Sequence, residues 1–125
     1  MSNPLIYVGT HAIKPGMLDT ARKASEEMVQ FVEENHLRMM HFEIDIDEAA
    51  GEMTVVQIHP DGESLMLHVQ LAADRIRSAS EFLEATTNIE IYGPASDELV
   101  GLINEMRGDT PARFNTAVAW FSRLE

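Results

Sequence analysis

The sequence predicts an α+β protein with the ferredoxin-like order βαββαβ, followed by a further helix and a C-terminal tail. Three observations predict this class. Four segments have the β-branched composition or the alternation of strands. Three segments repeat apolar residues at spacings of three and four, as amphipathic helices do. Gly and Pro separate these segments. The expected result is one antiparallel sheet with helices on one face.

The first half of the chain predicts a strand, a helix and a hairpin. Residues 5–13 (LIYVGTHAI) are rich in β-branched and aromatic side chains and run into Lys-Pro-Gly, which ends a strand. Residues 17–32 carry the helical repeat. Residues 39–47 alternate apolar and polar side chains, and residues 53–59 return after a turn.

The second half predicts two capped helices around a strand. Asp61 is an expected N-cap, and the helix it begins has the apolar stripe Leu65, Val69, Ala72 and Ile76, continuing with a bend to Leu83. A strand over 86–92 follows. Ser96 is expected to cap the next helix, and residues 113–123 to form an arm-like strand.

Composition limits the domain count and the partners. A chain of 125 residues fits one domain, which we expect over 1–108, with 109–125 as an arm that contacts a dimer partner. The net charge of −12 repels phosphates, so neither nucleic acid nor an anionic membrane is an expected partner. There is no cysteine. The first residues lack a signal-peptide pattern, so the expected location is cytoplasmic.

A sheet with helices on one face leaves the other face to be covered. We expect that face to carry Tyr7, His11, Met53, Val55 and Tyr92 among its polar groups, which is too apolar for full exposure to water. Pairing with a second copy would cover it, so the sequence predicts a homodimer.

Two stretches carry a resemblance to a known family. The strand-turn-helix segment VGTHAIKPGMLDTARK and the strand-to-helix segment VVQIHPDGESLMLHV, within residues 5–93, resemble the antibiotic biosynthesis monooxygenase-like (ABM-like) proteins of the dimeric α+β barrel superfamily. The resemblance implies a ligand cavity in each subunit between sheet and helices. Members include cofactor-independent oxygenases of quinol-like aromatics, haem-degrading enzymes and proteins without known activity.

Few residues of this chain match the functional residues that the resemblance implies. His68 matches the family's histidine on the second helix. The first strand lacks the asparagine found in several active members, and the acidic residue of the strand before the second helix is replaced over 57–59. The tryptophan expected near the second helix in haem-degrading members is absent there, since Trp120 lies in the tail, which disfavours haem degradation.

His68 is the candidate catalytic residue. It follows Leu65 by three positions and precedes Ala72 by four, so it lies beside the apolar stripe of its helix. Burial there favours the neutral ring, which can accept a proton from an acidic phenol. The alternative is a core histidine bonded to a carbonyl or water. The candidate substrate-binding residues are Tyr7, Thr10, Met40, Phe42, Ile58 and Leu65.

A metal site is the minor alternative. If His41 stands opposite His59, and the first strand runs parallel beside the third, then His11, His41 and His59 meet at one edge of the sheet. No metal-binding spacing occurs in the sequence, so we expect neither a metal nor another cofactor.

Three functions therefore follow from the sequence. The first is a cofactor-independent monooxygenase acting on a small quinol-like or polycyclic aromatic substrate. The second is a non-catalytic homodimer that binds a small apolar or aromatic ligand. The third is a metal-dependent enzyme using the histidine cluster.

Overall fold

The computed structural model describes residues 3–124 and contains a five-stranded sheet. The elements are β1 Leu5–Ile13, α1 Leu18–Asn35, β2 His41–Asp47, β3 Glu52–His59, α2 Gly62–Leu71, α3 Ala73–Ser78, β4 Leu83–Tyr92, α4 Asp97–Arg107 and β5 Ala112–Asn115, with a 3₁₀ turn at Ala79–Glu81. The order βαββαβ is confirmed.

The central strand of the sheet is β1. The strand order is β2-β3-β1-β4-β5, with β4 and β5 parallel. β1 is antiparallel to both β3 and β4, so that Leu5 pairs with His59 and His11 with Met53. The expectation that β1 runs parallel to β3 is therefore wrong. In a βαββ unit, β2 points the same way as β1, and the hairpin reverses the chain into β3.

Two apolar clusters lie between the sheet and the helices. One end holds Leu5, Leu65, Ile89, Ile91, Leu99 and Ile103. The other end holds Ile13, Ala21, Met53 and Phe82. Tyr7 packs against the first cluster and Val55 against the second, which places both side chains on the covered face.

The expected assignment of side chains to the two faces is therefore wrong in part. Four of the five side chains expected on the open face line the space between the sheet and the helices. They therefore face the helices, and they are Tyr7, His11, Met53 and Val55. Tyr92 lies on the open face. Alternation in a strand tells which side chains share a face, but not which of the two faces is covered.

The second helix is shorter than the sequence predicts. α2 ends at Leu71, and Ala72 leaves helical geometry with φ −99° and ψ 9° before α3 begins. The Ala72 N–H still donates a hydrogen bond to the His68 carbonyl oxygen, so the chain bends at Ala72 without losing this helical hydrogen bond. Leu83 already belongs to β4 and not to a helix.

The C-terminal segment joins the sheet over four residues only. β5 pairs with β4, and Ala112 and Phe114 pack against the first cluster. Residues 116–124 form no helix or strand, and Trp120 and Phe121 are exposed. None of the helices in the described part of the chain is both long enough and apolar enough to cross a membrane.

Candidate functional site

A cleft of about 1160 Å³ lies between the helix-covered face of the sheet and the helices α1 to α3. Apolar and aromatic side chains from several elements form much of its wall, among them Met28, Phe31, Phe42, Ile44, Leu65 and Val69. Space of this size and lining is typical of a small-molecule site.

The cleft brings together four of the seven residues that the sequence predicts as catalytic or substrate-binding. Tyr7, Phe42, Leu65 and His68 line it. Thr10 and Ile58 lie on the open face of the sheet, because Thr10 pairs with Thr54 and Ile58 with His41, two residues that alternate away from the cleft. Met40 precedes β2 and is half-buried outside the lining.

His68 lies on α2 at the floor of the cleft. The helix begins where the Asp61 side chain accepts a hydrogen bond from the Ser64 N–H. His68 is 4% exposed, and its ring centroid is 5.6 Å from that of Phe42. Burial lowers the pKa of His68 to about 4, with nearby His36 acting in the same direction. The ring is therefore neutral at pH 7 and carries a basic lone pair.

Two further buried histidines flank His68. Ring centroids are 6.2 Å apart for His36 and His68, 6.4 Å for His59 and His68, and 5.9 Å for His36 and His59. From the sequence, His59 is expected at the end of a strand and as a member of the candidate metal cluster, whereas His36 is not singled out. His36 directly follows α1. No pattern in the sequence indicates that the C-terminal end of α1 packs against α2.

Hydrogen bonds connect these rings to Gln57 and Ser64. His59 Nε2 is 2.8 Å from Gln57 Oε1, and its Nδ1 is 2.7 Å from Ser64 Oγ. His36 Nε2 is 2.9 Å from the Ser64 carbonyl oxygen. Burial, followed by the charges of His68 and His36, lowers the pKa of His59 to about 3. His59 is therefore neutral, and both of its nitrogens are occupied.

Ser64 and His59 have the spacing of a nucleophile and its base, but not the access. Ser64 is fully buried and does not line the cleft. A serine nucleophile must reach its substrate. The pair therefore has a structural role, holding the start of α2 against β3.

Tyr7 forms part of the cleft wall above Gly9. A Cβ atom at Gly9 would lie 2.7 Å from the Tyr7 Oη, closer than non-bonded atoms approach. Glycine at this position lets the ring lie flat along β1. Burial raises the pKa of Tyr7 to about 12. Its hydroxyl stays protonated and can donate a hydrogen bond into the cleft.

The expected meeting of His11, His41 and His59 is wrong. His41 pairs with Ile58 instead of His59, which puts the two histidines on opposite faces. His11 lies at the other end of β1, where its Nδ1 is 3.0 Å from Thr86 Oγ1. Within residues 3–124, no three His, Asp or Glu side chains are grouped as a metal site would require. A one-residue difference in register reverses the face of a strand side chain.

Known proteins that are similar to this chain are found by comparing structures and not by comparing sequences. Neither a protein-family model nor a curated sequence matches the chain. MupZ from Pseudomonas fluorescens has a similar structure, with a TM-score of 0.83 and 15% identity over 98% of this chain and 91% of MupZ. A protein from Caulobacter crescentus, described as a candidate antibiotic biosynthesis monooxygenase, has a TM-score of 0.64 and 14% identity over 72% of this chain and 88% of its own. The chain shares its fold with these two proteins. The identity to both proteins is too low to transfer an activity.

Other solved structures match a smaller part of this chain. A conserved protein from Methanosarcina mazei, with a TM-score of 0.63 and 17% identity, covers 71% of this chain and 90% of its own. The Caulobacter protein covers a similar share. The match to MupZ covers nearly all of this chain and therefore extends into α4 and β5. The likeness to MupZ thus includes these two C-terminal elements.

Proposed function

We propose that this protein is a cofactor-independent monooxygenase acting on a small quinol-like or polycyclic aromatic substrate. The observation that carries the proposal is the position of His68, a neutral base beside Phe42 in the wall of an apolar cleft. The aromatic walls match a flat apolar substrate, and the imidazole matches an acidic hydroxyl on it.

The proposed reaction begins with proton transfer from the substrate hydroxyl to His68. The resulting phenolate is electron-rich at the ring carbon para to the oxygen, and that carbon bonds to dioxygen. His68 returns its proton to the peroxide anion formed there. The resulting hydroperoxide then loses water, made of its OH group and the hydrogen of the same carbon, giving a quinone. Phenol and O2 thus yield quinone and one water, with one atom of the dioxygen in each product, and His68 is again neutral.

The low pKa of His68 has a consequence for this step. In the empty cleft the ring is a weak base, because burial disfavours its charged form. A phenolate formed next to the imidazolium offsets that cost by direct ion pairing in an environment of low dielectric. Tyr7, which stays protonated, supplies a hydrogen bond that stabilises the same anion.

The test is oxygen incorporation with a matched pair of variants. Purified protein is given an anthrone, whose enol carries hydrogen on the carbon para to its hydroxyl, under 18O2, and the quinone is analysed by mass spectrometry against a protein-free blank. We expect one labelled oxygen in the product and a loss of about 100-fold or more in kcat/KM for His68→Ala. His41→Ala, a histidine on the open face, is the control and should keep the wild-type rate.

Two results would contradict the proposal separately. Equal rates for wild type and His68→Ala remove His68 from the mechanism. Quinone without label, formed with hydrogen peroxide, shows an oxidase and not a monooxygenase.

Simple ligand binding is the second candidate function. β1 has no asparagine, and its polar side chains besides Tyr7 are Thr10, on the open face, and His11, whose Nδ1 is 3.0 Å from Thr86 Oγ1. The cleft is nevertheless large enough to enclose a small apolar ligand. If a small molecule co-purifies with the protein and is itself chemically unchanged after the complex is exposed to oxygen, simple binding is favoured.

We also propose that the protein is a homodimer that pairs through the open face of the sheet. The central strands present an apolar row there, consisting of Ile6, Val8, Val56 and Ile58, and all four are partly buried. Acidic residues of this face flank the row on the neighbouring strands, Glu43 and Asp45 on the edge strand β2 and Glu90 on β4. An apolar centre with a charged rim is the usual composition of a protein interface.

A further inference from the structure

The cleft has a polar end away from His68, built by residues of β1, β4 and the chain around the end of α4. Four side chains of this part of the wall are His11, Thr86, Thr110 and Arg107. His11 Nδ1 is 3.0 Å from Thr86 Oγ1, and the Thr110 hydroxyl donates to the Thr86 carbonyl oxygen at 3.2 Å. Arg107 Nη1 donates to the Thr110 carbonyl oxygen at 2.9 Å. These four bonded residues form one continuous patch, which we call the arginine end of the cleft.

Arg107 carries a positive charge that pairs with no carboxylate among residues 3–124. The residue is half-buried, and its guanidinium group donates to two neutral oxygens, Asn104 Oδ1 at 2.8 Å and the Thr110 carbonyl oxygen at 2.9 Å. These bonds use Nε and one hydrogen of Nη1, so Nη2 and the second hydrogen of Nη1 remain available. A guanidinium group that is held in place and keeps free donors is suited to bind a carboxylate.

Burial distinguishes Arg107 from the other charged residues of the cleft wall. Lys23 and Arg75 also line the cleft, but both are exposed, and the Arg75 guanidinium lies 4.5 Å from the centre of the Phe31 ring. Water weakens an ion pair at an exposed cation. Four acidic side chains of the wall are exposed as well and form no ion pair with Arg107 in the described part of the chain; they are Glu27, Asp74, Glu81 and Glu84. Arg107 is therefore the cation of the wall best placed to hold an anion.

The arginine end lies far from His68. On the covered face of the sheet, Phe42 pairs with Gln57 and Gln57 with Tyr7, and Tyr7 precedes His11 by four positions on β1. Two strand spacings and four residues along the strand place the Cα atoms of Phe42 and His11 roughly 17 Å apart. The His68 ring lies beside Phe42, with centroids 5.6 Å apart, whereas His11 belongs to the arginine end. A ligand that reaches both ends is therefore elongated.

We propose that the substrate is an elongated aromatic acid, whose hydroxyl-bearing ring meets His68 and whose carboxylate is bound by Arg107 at the arginine end. This inference deepens the proposed function and rests on it for the position of the ring. The apolar side chains between the two ends accommodate the body of such a molecule.

His11 can support the same anion. Burial lowers the pKa of His11, so its ring is mainly uncharged at neutral pH. The Thr86 hydroxyl can donate to Nδ1, which leaves Nε2 to carry the proton and to donate to a carboxylate.

The test measures binding and not turnover. The probes are 2-naphthols with a carboxyalkyl chain on the second ring, prepared with short and long chains, together with the methyl ester of each acid. In a 2-naphthol the carbon para to the hydroxyl is a ring-fusion carbon without hydrogen, so these probes cannot form a quinone by the proposed reaction. Titration of the naphthol fluorescence with protein at low ionic strength gives the dissociation constants.

Wild-type protein should prefer the long acid to its ester. We expect the long acid to bind about tenfold or more tightly than the ester, since a charge-assisted hydrogen bond to Arg107 is made only by the acid. The net charge of −12 disfavours an anion at long range, so such a preference must come from a cation in the site. Equal affinity for acid and ester overturns the inference.

Two variants of Arg107 separate its charge from its shape. Arg107→Gln removes the cation, and we expect it to lose about tenfold or more in affinity for the long acid and to bind the ester unchanged. Arg107→Lys keeps the charge without the planar fork and should retain part of the preference. Arg22→Gln, in an exposed ion pair with Glu48 outside the cleft wall, is the control for the change in net charge and should bind the acid as wild type does. An unchanged affinity for the acid in folded Arg107→Gln overturns the inference.

The length of the substrate is tested with His68→Ala. A long acid that reaches both ends should lose affinity in His68→Ala and in Arg107→Gln, whereas a short acid should lose affinity in only one of these variants. A short acid weakened by both variants would refute the separation of the two ends.

Folding and function are checked independently in this experiment. Circular dichroism establishes that each variant folds, and the comparison of acid with ester uses wild-type protein alone. Selective binding of the acid by a protein without monooxygenase activity refutes the proposed function but leaves the carboxylate site in place. Labelled quinone from a neutral anthrone, together with equal binding of acid and ester, refutes the carboxylate site alone.

Discussion

At the scale of residues, the cleft depends on polar side chains buried in neutral form. His59 and His68 have pKa values lowered to about 3 and about 4, with burial as the largest cause. Both rings are therefore uncharged over the whole neutral range. Because the unfolded chain protonates these histidines at a higher pH than the folded protein does, acid destabilises the folded state.

The free energy of unfolding should fall between pH 6.5 and pH 4. In this range the unfolded chain protonates these histidines and the folded protein does not, so lowering the pH favours unfolding. With an unfolded pKa near 6.5, we expect a loss of about 2 kcal/mol for each histidine at pH 5 relative to pH 8. Urea unfolding at several pH values measures this loss.

The variant His59→Gln tests the source of this pH dependence. It should remove part of the slope, at most about half, because His68 and His11, whose pKa burial also lowers, still titrate. Lowered carboxyl pKa values, as at Asp61 and Glu90, act in the same direction but only at lower pH. An unchanged slope in His59→Gln would show that other groups cause the acid sensitivity.

Gly9→Ala should disturb the cleft through Tyr7. The added methyl group would lie 2.7 Å from the Tyr7 Oη and 2.9 Å from its Cε1, so the ring must move. We expect a loss of about 1–3 kcal/mol in unfolding free energy, measured by urea unfolding. Gly101→Ala, where a Cβ meets no atom within 4 Å on an exposed part of α4, is the control and should stabilise slightly.

At the scale of elements, both predicted helix caps are confirmed. The side chain of Asp61 accepts from Ser64 N–H, and that of Ser96 accepts from Leu99 N–H. Each cap satisfies an amide that the helix itself leaves unpaired. Capping is readable from sequence because it depends on residues three apart.

Asp61→Ala should weaken the start of α2. We expect a loss of about 1 kcal/mol in unfolding free energy, and a similar loss for Ser96→Ala at α4. Asp61→Ala should also lower kcat/KM of the proposed reaction, because α2 carries His68. Glu98→Gln, in the first turn of α4 but not its cap, is the control and should change stability by less than about 0.5 kcal/mol.

The break between α2 and α3 shows the limit of periodicity. Leu65, Val69, Ala72 and Ile76 continue one repeat, yet the chain bends at Ala72 and Ile76 is 38% exposed. Neither Gly nor Pro marks the bend. Ala72 is buried at the turn of the chain, so packing, and not a local breaker, decides where the helix ends.

At the scale of the whole molecule, the open face should determine the association state. Val8 lies near the middle of that face, paired with Val56 on one side and Glu90 on the other. A charge buried there without a partner disfavours association. We expect wild-type protein to sediment as a dimer at micromolar concentration and Val8→Asp to sediment as a monomer.

The control for the dimer is Leu37→Asp. Leu37 is 88% exposed in the loop after α1, outside the sheet, so the variant should remain dimeric. Circular dichroism must show that both variants fold. A monomeric wild-type protein in sedimentation would refute the dimer directly.

The sequence by itself determined the order of elements, the caps of two helices and the burial of His68, because these depend on neighbours within a turn or a strand. It did not determine which face of the sheet the helices cover, since alternation has no absolute direction. It placed Thr10 and Ile58 in the pocket wall and His41 beside His59, and strand register reversed both. Only the tertiary structure brought His36, at the end of α1, to the rings of His59 and His68. That contact joins positions more than twenty residues apart, and no local pattern encodes it.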